Sequence, residues 1–95
     1  MDLRKLKQFL EIADAGSLSG AAKRLNVAQP ALSQAVQSLE RELGVMLFER
    51  HARGVSLTEF GTLLAERANA ILREVDGAKA LGHKLINGIP ESRFG

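Results

Sequence analysis

Cysteine, tryptophan and tyrosine are absent from this 95-residue chain, and proline occurs only twice. Without cysteine, disulfides and thiolate metal sites are excluded. Four phenylalanines are the whole aromatic complement, so any core must be largely aliphatic. No run of about 18 apolar residues is present to span a bilayer, and the N-terminus lacks the charged-then-apolar build of a signal peptide. A soluble, cytoplasmic protein is expected, with no membrane contact. His51 and His83 lie far apart. No nucleophile with its base, no metal-ligand spacing and no glycine-rich phosphate loop after a strand accompanies them. The expectation is a non-enzyme that holds no metal and needs no cofactor in this chain.

What remains is a length that fits one small domain, or a domain with an extension. Small domains bury a modest fraction of their surface, so a partner surface is expected. Net charge is only +2, with a pI near 9.4. The excess of bases lies before Thr58, in Arg4, Lys5, Lys7, Lys23, Arg24, Arg41, Arg50 and Arg53. Beyond it, acids and bases balance. That distribution points weakly toward a polyanionic partner.

Leu3, Leu6, Phe9, Leu10 and Ala13 recur at helical spacing and predict a first helix ending at Gly16. Ser17 is placed to cap a short second helix with Leu18, Ala21, Ala22 and Leu25 on one face. Asn26 suits a tight turn. A third helix then starts near Ala28 or Gln29, with Pro30 allowed in its first turn, and ends at Gly44. Leu47 to Arg50 and Val55 to Leu57 read as a small β-hairpin around Gly54. From Thr58 to about Asn87 the pattern is helical again, for about 45 Å. Leu64, Ala68, Ile71, Val75, Ala78, Gly82 and Leu85 keep the four-three spacing of a helix–helix seam. Phe60, Leu63 and Leu72 lie off that line and are expected to pack back on the first domain. The tail after Asn87 reads as a linker.

The third helix carries the functional signal. Leu32, Val36, Leu39 and Leu43 form its apolar stripe. Gln29, Pro30, Ser33, Gln34 and Gln37 lie toward the other side, with Arg41 beyond them. A solvated face is normally rich in Glu and Lys. Here it is neutral and short-chained, as a helix pressed against base edges requires, because Gln bonds adenine N6 and N7 in bidentate fashion and Ser serves either base type. Together with the short helix and tight turn before it, this describes a helix-turn-helix. Arg50 and Arg53, with His51, then fall on the hairpin, where Arg enters a minor groove or grips phosphate. Lys23 and Arg24, near the end of the second helix, and Arg41 are further candidates for the phosphate backbone. A purely protein–protein module is the competing reading.

With "SLSGAAKRLNVAQPALSQ", "LERELGVMLFER" and "LTEFG" as its sharpest parts, the chain from about Met1 to Asn87 resembles the N-terminal DNA-binding domain and linker helix of the LysR-type transcriptional regulators of bacteria. The resemblance implies a mainly α fold: a winged helix-turn-helix over residues 1–58 (helix-turn-helix 18–37, wing 47–57), a linker and dimerisation helix over 58–87, and a hinge over 88–95 toward an effector-binding domain outside this chain. It implies base contacts from Gln29, Pro30, Ser33, Gln34 and Gln37 and wing contacts from Arg50 and Arg53. It also implies a nucleoid-associated homodimer on an interrupted palindrome, tetramers in the longer protein, and RNA polymerase as a candidate partner. Four departures stand out: Ala28 where a Ser cap is common, Gly20 inside the second helix, Ser38 where a base is common, and Phe60 for Ala.

Overall fold

The computed structural model describes residues 1–86, with side chains as far as residue 82. Four helices and one hairpin follow in the order α1 (Leu3–Ala15), α2 (Leu18–Leu25), α3 (Gln29–Leu43), β1 (Phe48–His51), β2 (Gly54–Leu57) and α4 (Glu59–Ile86). The hinge expected over residues 88–95 and the Leu85 side chain lie outside the described residues.

Local chemistry sets most of the boundaries. Asp2 caps α1 by accepting the Lys5 N–H at 2.8 Å, and Gly16 ends the helix in the left-handed region. Ser17 Oγ accepts the Gly20 N–H at 3.0 Å and caps α2. A side chain at position 20 would press on that cap, which accounts for a glycine inside so short a helix. α2 closes on Asn26 at φ 56. There the Val27 N–H donates to the Ala22 carbonyl at 3.0 Å and the Asn26 N–H to Lys23 at 3.2 Å, the paired bonds of a Schellman turn. α3 starts at Gln29 without a side-chain cap, since Ala28 has none to offer, and Pro30 removes one of the unpaired donors of the first turn.

α1, α2 and α3 enclose one core of Phe9, Ile12, Leu18, Ala21, Ala22, Leu32, Val36 and Leu39, closed below by Leu47 and Phe48. Each fully buried large side chain there, such as Leu32, contributes about 1.5–3 kcal/mol. Phe9 and Phe48 stack at a tilt, ring centroids 5.3 Å apart. Two details of the expected α1 face change: Ile12 is fully buried, whereas Leu3, in the first turn, is 40% exposed. The strands also run one residue further than expected at the turn, pairing His51 with Gly54 around Ala52 and Arg53.

α4 is keyed to the hairpin. Thr58 Oγ1 accepts the Gly61 N–H at 3.0 Å and donates to the Met46 carbonyl at 2.7 Å. Gly61 itself is buried against the Leu47 carbonyl. This contact fixes the rotation of the helix and overturns part of the expected seam. Gly61, Leu64, Ala65 and Ala68 turn inward, with Leu64 and Ala65 packed on the core and Ala68 fully buried. Phe60 and Leu63, expected to pack back, are 40% and 55% exposed. At 100° per residue they share the outer edge of the apolar band with Ile71 and Leu81, 41% and 59% exposed. The band is wide enough to serve two surfaces, and the first 57 residues take the edge that the spacing had assigned to a partner.

Candidate nucleic-acid interface

The buried stripe of α3 consists of Leu32, Val36 and Leu39. Opposite it, Gln29, Pro30, Gln34, Gln37 and Arg41 are exposed, and Ser33 is half-buried at the edge. None of the four amide and hydroxyl side chains forms a hydrogen bond to protein among the described residues, so their donors and acceptors are free to pair with a ligand. The five residues singled out from the sequence therefore form one outward surface on a helix held from behind by core packing.

The hairpin stands beside the start of that helix. Neither Ala52 nor Arg53 has a positive φ, so the turn is not one of the primed types; the residue after it, Gly54, takes φ 140. Gly54 also lies in backbone contact with the α1–α2 corner: a Cβ on it would fall 2.1 Å from the Gly16 carbonyl oxygen. The next residue seals the joint, with the Val55 N–H donating to that same oxygen at 2.9 Å. Arg50, His51 and Arg53 are all exposed on the hairpin. A hollow of ≈ 240 Å³ between hairpin and helices brings Arg50 and His51 together with Gln29, Ser17 and Ser19. The cations of the hairpin and the polar start of α3 thus share one surface.

The bases divide into two groups. Lys23 is exposed and has no ion-pair partner among the described residues, as the phosphate role requires; the same holds for Arg41, Arg50 and Arg53. Arg24 does not fit that role. Its guanidinium reaches back to α1 and bonds Asp14 at 2.7 Å and Glu11 at 3.4 Å. The hydrogen bond to Asp14, then that to Glu11, raises its pKa above the ordinary arginine value. With two carboxylates against it, Arg24 presents little net charge outward. The α1 carboxylates responsible lie ten and thirteen residues away in sequence, beyond any spacing rule.

A larger hollow of ≈ 520 Å³ lies past the end of α3, against Gln37, Arg41, Val45 and Met46. Its one carboxylate, Glu40, accepts the Leu47 N–H at 2.8 Å and so holds the approach to the hairpin. No constellation for acid–base or nucleophilic chemistry converges there.

A family profile described as "Bacterial regulatory helix-turn-helix protein, lysR family" matches residues 3–62. The chain belongs to the LysR family. Within it, the chain is 39% identical to the HTH-type transcriptional regulator TcbR of Pseudomonas sp. (strain P51), over 100% of this chain and 34% of that protein. It is 47% identical to the nitrogen assimilation regulatory protein Nac of Escherichia coli (strain K12), over 90% of this chain and 28% of that one. The chain therefore spans about a third of the length of these curated relatives. Among solved structures, it is similar to a CbnR DBD–DNA complex, with TM-score 0.85 and 39% identity, covering 92% of this chain and 100% of the other. A complex of the BenM DBD with catB site 1 DNA gives TM-score 0.89 and 36% identity, covering 95% and 100%. The mainly helical winged fold expected from the LysR resemblance is the one observed.

Proposed function

We propose that this chain binds double-stranded DNA sequence-specifically, as the DNA-reading part of a longer bacterial transcriptional regulator. The observation that carries the reading is the unpaired neutral face of α3, Gln29, Pro30, Ser33, Gln34 and Gln37, projecting beside a cationic hairpin. Its support from outside is the likeness to LysR-family chains solved in complex with DNA. α3 enters the major groove and reads base edges with its amides and hydroxyl. Arg50 and Arg53 contact the minor groove or its phosphates, and Lys23 and Arg41 contact the backbone. Binding, rather than catalysis, is the activity.

The chain acts as a homodimer through α4. The surface for it is the outer edge of the apolar band: Phe60, Leu63, Ile71, Ala78 and Leu81, with Val75 half-exposed between them. Among the described residues, Leu64 and Ala65 pack on this chain's core and Ala68 is buried near them in sequence, while the helix extends for about 42 Å. Two α3 helices related by a twofold axis require an interrupted palindrome. Response to a small effector, and assembly beyond the dimer, belong to the part of the regulator outside this chain.

Selection of bound sites from random duplexes at a fixed salt concentration tests the reading. The expected result is a palindromic consensus with half-sites about one helical turn apart, or a multiple of that. A pool that returns no enriched sequence overturns it.

A further inference from the structure

Lys5 and Ser38 lie on different helices, yet Lys5 Nζ donates a hydrogen bond to Ser38 Oγ at 3.0 Å. Ser38 sits on the flank of α3, one turn beyond Gln34 and next to Gln37, so the ammonium of an α1 residue is held at the margin of the reading face. Lys5 is half-buried. Its long stem is already ordered against protein, so fixing the charge there costs little of the rotamer entropy a free lysine loses on contact.

The charges around the pair separate it from the other cations. Arg24 is matched by Asp14 and Glu11. One turn past Ser38, Glu42 is the nearest carboxylate along this flank, and it is paired with the Met1 ammonium. Lys5 has only a neutral hydroxyl as partner and no ion pair among the described residues. An ammonium carries three donors; one is used on Ser38 and two remain. The Ser38 O–H makes no hydrogen bond to protein among the described residues and is free to donate, beside the one lone pair that accepts from Lys5. The pair therefore presents donors and positive charge at the edge of the neutral face formed by Gln29, Pro30, Ser33, Gln34 and Gln37.

We propose that Lys5 and Ser38 of each subunit together grip one backbone phosphate of the bound duplex. This rests on the DNA-binding reading above and deepens it. The cation on this flank of α3 is supplied from α1, and Ser38 positions it. On this arrangement the duplex is held from both sides of α3, by the hairpin arginines on one flank and by Lys5 on the other.

The test is a salt titration of the full chain with a duplex carrying the selected consensus, comparing wild type with Lys5→Gln, Lys5→Arg and Ser38→Ala. Each phosphate contact contributes about 0.9 to the slope of log K against log salt. Lys5→Gln should flatten the slope by about that amount per subunit, about 1.8 for the dimer, so that its deficit relative to wild type shrinks about tenfold between 50 and 200 mM salt, with an unchanged base preference. Lys5→Arg should keep the slope. Ser38→Ala should keep it too, while weakening binding several-fold at every salt. A Lys5→Gln protein that retains the wild-type slope overturns the proposal, whether or not its melting temperature has moved, and leaves DNA binding intact. A wild-type chain that binds no duplex removes the DNA reading and this contact with it.

Discussion

The Gly61 backbone lies so close to the Leu47 carbonyl oxygen that an ideal Cβ at position 61 would stand 2.2 Å from it. Nothing larger than hydrogen fits, and the obstacle is backbone, which cannot rotate away. Gly61→Ala should therefore push α4 off the hairpin. The expected cost is about 2 kcal/mol, typical of overpacking, or about 8–16 °C in melting temperature for a domain of this size. Thermal unfolding followed by circular dichroism checks it; a stable Gly61→Ala protein would mean that the joint adapts more freely than its geometry allows.

That joint decides which edge of α4 faces outward, and two glutamates separate the edges. Leu63→Glu, on the exposed edge, should leave the fold intact and shift sedimentation from dimer to monomer. Ala68→Glu places an unpaired charge where the chain is fully buried, which costs several kcal/mol, so it should unfold the protein. The reverse pattern would restore the seam suggested by the four-three spacing.

Much of the fold is legible because its determinants are local. Gly16, Asn26, Pro30 and Gly44 announce helix ends through their own backbone preference and Ser17 through its capping hydroxyl, and each occupies the expected place. The outward face of α3 is legible for the same reason: one amphipathic period sorts Leu32, Val36 and Leu39 from Ser33, Gln34 and Gln37. What resists reading is anything fixed between distant elements. The apolar band of α4 is broad, and the spacing of Leu64, Ala68 and Ile71 carries no mark of which edge Leu47 will meet. Arg24 looks as free as Arg53 until α1 brings Asp14 and Glu11 to it, and nothing in the sequence links Lys5 to Ser38.

The contrast between those two arginines is measurable. Arg53→Ala should weaken binding to all duplexes alike and reduce the salt slope by about one per subunit, about two for the dimer. Arg24→Gln should leave the slope as it is, because its charge is already compensated by the α1 carboxylates. A slope lowered by Arg24→Gln would place its guanidinium on phosphate in the complex, away from Asp14.

Base reading is tested at the centre of the α3 face. Gln34→Ala removes a bidentate donor–acceptor pair worth about 1–3 kcal/mol of discrimination. Repeated site selection should then lose its preference at one position in each half-site while keeping the spacing between half-sites. An unaltered consensus would assign Gln34 to the solvent.

The seal between Gly54, Val55 and the Gly16 carbonyl has a mechanical outcome. The hairpin is joined through backbone to the corner from which α2 departs, so Arg50 and the tip of α3 are carried by one connected frame. On the proposed DNA-binding reading, the duplex adapts to the span that this frame presents, and sequences that narrow or widen most cheaply should be favoured at steps no side chain touches.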